Sequence, residues 1–476
     1  MTSTASEIRA ILGGGAEEDR VAVAHFVVGA LFLVLGSILE IVALAALRFP
    51  ELPISYGRLQ PAANLVLVMG FGVISVIGGA YYVLPRLTGT RLFRPALAGL
   101  GLLGMSGLVV LGAAAVLAGF GSGRYPFALP WWIDAPMVLV LFAPLLVTLP
   151  TIAERQERHS FVTLWAVIGA VTWLPLLYAT HFVGHAPFLS SVARAYLDSA
   201  LLAGLVTMVV MVLGCGLLYY TIVRELDVAL ANRPLAVVGT WSLAFASIWW
   251  GVAQLTFGPG PTWIAGVAAA LGLAFPIGAL AHAANVTMTM EGSWNRLPEN
   301  PAILAGLVGT FMAVGVGALA ALGAYRPVAA VVSLTSFWKG VEYAGIAGVG
   351  ALLAAGVSFA ALPRLAGRDI HDPAMPRRFV RLTVAGSVGV LVTMGAAGVI
   401  SGYSWIAGVN SNAFVNAGEG WGSGYGGVVD VLVLLALISA VVAFFGHAAY
   451  ASTILGTIVK GPARAQEVLV SVEVDA

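Results

Sequence analysis

Uninterrupted apolar stretches of twenty residues or more recur along the whole of this 476-residue sequence. At about 1.5 Å per residue, each is long enough as a helix to cross a bilayer core of about 30 Å. The chain is 60% apolar and 9% charged, against about 45–50% and about 25% for a soluble domain. A water-soluble fold is therefore excluded. The runs are continuous rather than alternating, which excludes a closed barrel. A net charge of +1 is too balanced to suggest nucleic acid. The single cysteine, Cys215, lies inside an apolar run and reads as a small buried hydrophobe, so no disulfide framework or cysteine-ligated cluster is available. No basic segment followed by a short apolar core opens the chain, so no cleaved signal peptide is expected.

Twelve transmembrane helices are predicted, over 21–47, 61–84, 92–120, 131–150, 161–182, 195–223, 235–257, 262–290, 301–324, 336–362, 379–407 and 427–455. Few residues remain for loops, so one transmembrane domain over 1–476 is expected. With the N-terminus in the cytoplasm, seventeen basic residues fall on that side, among them Arg86, Arg224 and Arg364. Five fall on the other: Arg48, Arg58, Arg124, Arg194 and Arg326. That asymmetry predicts a multi-pass protein of the cytoplasmic (inner) membrane with both termini cytoplasmic. The 58 glycines suit close contact between membrane helices.

The second span ends in Tyr81-Tyr82-Val83-Leu84-Pro85-Arg86, the sixth in Tyr219-Tyr220-Thr221-Ile222-Val223-Arg224, and the tenth in Phe359-Ala360-Ala361-Leu362-Pro363-Arg364. The arginines are 138 and 140 residues apart, each with an aromatic five residues before it. A four-helix unit repeated three times, over about 21–150, 161–290 and 301–455, accounts for this.

Three sets of four helices is the arrangement of haem-copper oxidase subunit I, and several segments resemble that family. Gly57-Arg58-Leu59-Gln60-Pro61 resembles the Gly-Arg-Leu-Arg-Pro of C-type oxidases. Ile248-Trp249-Trp250-Gly251 is similar to the Ile-Trp-Ala-Gly of their seventh helix. Asn285 to Met290, with Gly292-Ser293-Trp294, resembles the end of their eighth. Gly398-Val399-Ile400-Ser401-Gly402 resembles a stretch of their eleventh. The nitric oxide reductases share much of this pattern. The resemblance implies the subunit I fold over roughly 21–455 and a role in electron transport of the respiratory chain.

It also implies six histidine ligands for two haems and one copper, imidazole being neutral, basic and correctly sized. Counted from the matched segments, those positions hold Ala63, Ala203, Ala253, Gln254, Val341 and Tyr343. The seven histidines, His25, His159, His181, His185, His282, His371 and His447, all fall outside the second, sixth, seventh and tenth spans. The expectation is that haem and copper are absent, and that larger side chains, lipid or a quinone fill the space.

Glu40, Lys339, Glu342 and Tyr343 form a candidate polar pocket. Lys339 and Glu342 stand i, i+3 and are expected to pair near the outer interface, with Lys339 snorkelling to water. Glu40 reads equally as a hydrogen-bonded carboxyl or as part of a proton or cation path. His181 and His185 share a helical face, but two ligands are too few for a metal site. His25 and His282 read as packing residues. The outer segment 408–426 is long enough to cover the site or to dock a partner.

The expected function is a non-catalytic, subunit I-like member of a respiratory or denitrification-type membrane complex, a pseudoenzyme. Its partners would be membrane lipid and other membrane subunits, such as a cytochrome or a copper-domain protein. Two alternatives remain: an active oxygen or nitric oxide reductase with unfamiliar haem ligands, and a transporter using the vacated cavity.

Overall fold

A computed structural model describes residues 17–157, 161–406 and 425–464, with side chains omitted at 425 and 426. The segment 408–424 and His159 therefore lie outside the described residues. Among the described residues, twelve helices are long and apolar enough to cross a membrane. We number them α1 (Glu17–Arg48), α2 (Tyr56–Thr88), α3 (Pro95–Ala118), α4 (Trp131–Ala153), α5 (Val162–Val183), α6 (Ser191–Leu226), α7 (Arg233–Ala253), α8 (Thr262–Thr289), α9 (Pro301–Ala324), α10 (Phe337–Ala366), α11 (Ala374–Ile406) and α12 (Gly427–Lys460).

The apolar cores of α2, α6 and α10 are wholly buried, whereas the other nine helices each expose part of theirs. Three central helices are thus ringed by nine. Each central helix widens mid-span into a π-helical segment, at Val66–Val73, Leu205–Met211 and Ala344–Gly350. These segments begin 139 residues apart each time, so the repeat is written into backbone geometry as well as sequence. They meet at one seam. A Cβ on Gly72 would stand 3.1 Å from Val210 Cγ2, and one on Gly345 would stand 3.2 Å from Val206 Cγ1.

Each central helix also stops on the third residue after its arginine, in the left-handed conformation. Gly89 (φ 67°), Asp227 (φ 56°) and Gly367 (φ 63°) end α2, α6 and α10. Arg86 pairs with Asp19 at 3.1 Å, Arg364 pairs with Glu225, and the Tyr82 and Tyr220 rings meet edge to face at 6.3 Å. Tyr220 lies within electrostatic reach of Arg86, Arg224 and Arg364, so the three arginines share one face.

Several boundaries differ from the sequence expectation. The central helix α2 starts at Tyr56, so Pro61 lies inside its second turn, where the ring gives up one backbone hydrogen bond. The runs of α4 and α8 break at Leu141 and Leu273. Each break lies next to the residue four positions before a proline, Pro144 or Pro276, where the ring forbids the regular hydrogen bond.

Candidate functional site

The membrane half opposite the arginines holds a buried polar network contributed by α1, α2, α7, α10 and the α3–α4 loop. Glu40 lies about two turns before the end of α1. Lys339 and Glu342 occupy the first two turns of α10. Lys339 Nζ stands 2.8 Å from Glu40 Oε1 and donates to Oε2 at 3.0 Å. Gln60 Nε2 donates to Glu40 Oε2 at 3.3 Å and to Asn64 Oδ1 at 2.8 Å, and Asn64 Nδ2 reaches the Pro126 carbonyl at 3.4 Å. Lys339 is only 9% exposed and Glu40 is fully buried.

Glu342 belongs to the second arm of the network. Its Oε1 accepts from the Tyr125 hydroxyl and, at 2.9 Å, from Gln254 Nε2. Tyr56, at the start of α2, lies within electrostatic reach of both Glu40 and Glu342. Burial, and then the neighbouring Glu342 carboxylate, hold the Tyr125 phenol well above its ordinary value, so Tyr125 is a fixed proton donor.

Two expectations are corrected here. Lys339 does not pair with Glu342 along one helix: it crosses to α1 and takes Glu40. Nor does it snorkel, because the pair is enclosed. The reason is geometric: the Glu40 carboxylate reaches across from α1 to the Lys339 ammonium, and both side chains are buried. The Tyr343 side chain packs in an apolar cluster with Leu44, Ala347, Val390 and Met394, within electrostatic reach of Glu40. Of the four expected pocket residues, Glu40, Lys339 and Glu342 therefore come together and Tyr343 lies at the edge.

Five of the six positions counted as lost ligands, Ala63, Ala203, Ala253, Val341 and Tyr343, are buried, and Gln254 is half-buried. The α6 and α7 backbones approach closely at Ala203, where a Cβ on Gly251 would come within 2.7 Å of the Ala203 methyl. Beside them Trp250 and Trp338 stack at 6.5 Å, and Trp250 Nε1 donates to Thr207 Oγ1 at 2.8 Å.

A second buried cluster lies on the same half, between α4, α5, α6 and the α3–α4 loop. Asp134 Oδ1 accepts from the Tyr178 hydroxyl at 2.7 Å, and Asp134 Oδ2 lies 2.7 Å from His185 Nε2. His181 Nδ1 stands 2.8 Å from Asp198 Oδ1, and Arg124 clasps Asp198 through two nitrogens. Sequence reasoning found the histidine pair and missed its partners. The available signal was Asp134 and Asp198 themselves, carboxylates inside membrane spans. Adjacent residues Arg124 and Tyr125 tie this cluster to the Glu342 arm.

The family described as Cytochrome C and Quinol oxidase polypeptide I matches residues 20–444. The chain belongs to this family. Among curated relatives, subunit CcoN1 of the Cbb3-type cytochrome c oxidase of Stutzerimonas stutzeri is 25% identical over 368 residues, covering 74% of this chain and 76% of its own length. A cytochrome c oxidase subunit 1 homolog of Agrobacterium tumefaciens (strain T37) is 25% identical over 394 residues, covering 78% and 72%. The fold also matches a heme-copper terminal oxidase solved as a dimer, with a TM-score of 0.74, 16% identity and coverage of 94% of this chain and 85% of the other. This oxidase subunit I-like chain is a multi-pass membrane protein.

Membership corrects a further expectation, that haem and copper are absent. The relatives are named as cytochrome c oxidase subunits and the structural match as a heme-copper oxidase, so these are the groups the family implies. Six imidazoles missing from counted positions remove one mode of ligation and do not by themselves remove the groups, since iron and copper accept other nitrogen, oxygen and sulfur donors. At the counted positions three alanines and a valine offer no lone pair, Gln254 Nε2 donates to Glu342, and the oxygens of Gln254 and Tyr343 are donor atoms. Among the described residues, no group of three or more His, Cys, Asp or Glu is placed to hold a metal.

Proposed function

We propose that this subunit I-like chain serves as a non-catalytic membrane component of a respiratory or denitrification-type complex, assembling with electron-carrying subunits such as a cytochrome or copper-domain protein. The observation that carries this reading is the network itself. The carboxylate, amide and phenol of Glu342, Gln254 and Tyr125 bind one another, and the Glu40–Lys339 pair closes the space beside them. The names of the relatives support the assembly, as they are oxidase subunits. In this reading residues 1–476 form one domain of three repeats in the inner membrane, with both termini cytoplasmic, as the basic-residue asymmetry supports.

The test is oxygen and nitric oxide consumption by the complex purified from its native membrane, with a chemical electron donor. The expected outcome is no turnover attributable to this chain, together with co-purifying membrane subunits. Turnover abolished by Glu342→Gln would overturn the reading. It would favour the second one, supported by family membership: an active reductase with other ligands.

A further inference from the structure

On the face opposite the three arginines, a cavity of about 60 Å³ lies between the turn that joins α7 to α8 and the segment that follows α9. At about 10–15 Å³ per water it holds roughly four to six waters, the space of one compact polar group. Leu255, Phe257 and Ile264 supply apolar wall. The polar lining is Tyr196, Thr256, Thr262 and Arg326, and no carboxylate lines the cavity. Phe257 is 60% exposed and Trp263, next to Thr262, is 65% exposed. Rings exposed in this way collect where a membrane meets water.

Three features of this lining favour an anion. Thr256 is 4% exposed, and its Oγ1 is enclosed without a hydrogen-bond partner. An unmade hydrogen bond in a buried position is costly, and an acceptor in the cavity would complete it. The helix α8 starts at the cavity on Pro261, with no side-chain cap and no acidic residue in its first turn. Its first N–H groups are therefore open to a ligand, and such a helix end carries about half a positive charge. Arg326 is exposed, and among the described residues no carboxylate pairs with it. The Tyr196 hydroxyl stands at the same turn: a Cβ on Gly260 would come within 1.8 Å of it, so glycine is what leaves it room. One guanidinium and one helix end match a single negative charge, and a cation would meet only its own sign.

We propose that this cavity binds one phosphate group, carried by a phospholipid or free in solution. The phosphate oxygens accept from the Arg326 guanidinium, from the Thr256 hydroxyl and from the first N–H groups of α8. Several oxygens on one centre serve donors that come from three separate elements. A phospholipid diester bears the single charge that the lining matches, and the exposed Phe257 and Trp263 rings offer contact to its chains. This goes beyond the proposed function and does not depend on it.

The test uses the full chain, stripped of lipid in a neutral detergent. Three probes are titrated: dioctanoyl phosphatidylglycerol, dioctanoylglycerol, which keeps the chains and lacks the phosphate, and inorganic phosphate. Bound lipid is counted by native mass spectrometry and inorganic phosphate by calorimetry. A phosphate-bearing probe should bind at least about tenfold more tightly than dioctanoylglycerol, one decade in affinity. Arg326→Gln should weaken that binding about tenfold and Thr256→Val about fivefold, the charged donor counting for more than the neutral one. Arg326 is exposed, and valine keeps the shape of Thr256 while removing an unpartnered hydroxyl, so both variants should fold with unchanged melting temperatures. Inorganic phosphate binding as tightly as the lipid would assign the site to the free anion, and tighter binding of the lipid would assign it to the headgroup; either supports the inference. Equal binding of dioctanoylglycerol would overturn it. So would phosphate binding that Thr256→Val leaves unchanged, since a lipid held only at the surface would feel Arg326 and not the enclosed hydroxyl.

Discussion

Lys339 decides how the centre of this protein must be read. A lysine three residues before a glutamate on one helix invites a local pair, and a local pair at a wet surface is worth about 0–1 kcal/mol. The actual partner, Glu40, is enclosed with it. Breaking a buried pair by removing one member costs about 3–5 kcal/mol, because the other charge is stranded. Lys339→Met should therefore destabilise the protein strongly, and adding Glu40→Gln should restore most of the loss. Glu342→Gln should not restore it. Unfolding of the three variants in detergent, compared as a double-mutant cycle, checks this; a Lys339→Met loss below about 1 kcal/mol would contradict an enclosed pair.

Tyr125 supplies a pH prediction at the same scale. Its folded-state pKa is raised, by burial first and by Glu342 next. A raised pKa means the folded chain keeps the phenolic proton after the unfolded chain, near its ordinary value of about 10, has begun to lose it. The stability contribution of Tyr125 is thus complete below about pH 10 and declines as pH rises beyond it. Tyrosinate absorbance in the folded protein should show Tyr125 silent through the alkaline edge of exposed tyrosines. Subtraction of the Tyr125→Phe spectrum isolates it, and a difference band appearing near pH 10 would contradict the assignment.

At the scale of elements, the three π-helical segments do what no single residue does. A π-helical turn shifts the register of the residues after it. Here it brings α2, α6 and α10 into contact at mid-span. Glycine at position 72 is required by closeness, not by backbone conformation, since the Val210 methyl would stand 3.1 Å from an added Cβ. Gly72→Ala should be borne with a small shift, whereas Gly72→Leu should overpack the seam and cost about 1–3 kcal/mol. Thermal unfolding of the two variants distinguishes these outcomes. Equal stability of both would mean that the seam is looser than its geometry.

At the scale of the whole molecule, the arginine face and the network face are opposite ends of one bundle. Orientation then follows from one labelled site on each. If the arginine face is cytoplasmic, Thr90→Cys should react with an impermeant thiol reagent only from the cytoplasmic side, and Ser122→Cys only from the other. Cys215 is buried and should stay silent in both. The reverse pattern would invert the proposed topology.

The number of spans, their order and the threefold repeat were legible in the sequence, because each rests on local properties. Twenty apolar residues cannot avoid the bilayer, and Tyr81, Tyr219 and Phe359 mark the period before their arginines. That the chain has no histidine in the second, sixth, seventh and tenth predicted spans was legible too, since it is a matter of composition alone. What that implies about haem and copper was not, because ligation is a property of all donors around a site. The partners of the charged groups were decided only by tertiary structure. Glu40 and Lys339 are 299 residues apart, and Glu342 is completed by Tyr125 from a loop and Gln254 from the end of α7. Helical spacing ranks the neighbours within one helix; in a buried site the partner is whichever opposite charge the packing of other helices brings within reach, and that is fixed by the whole fold.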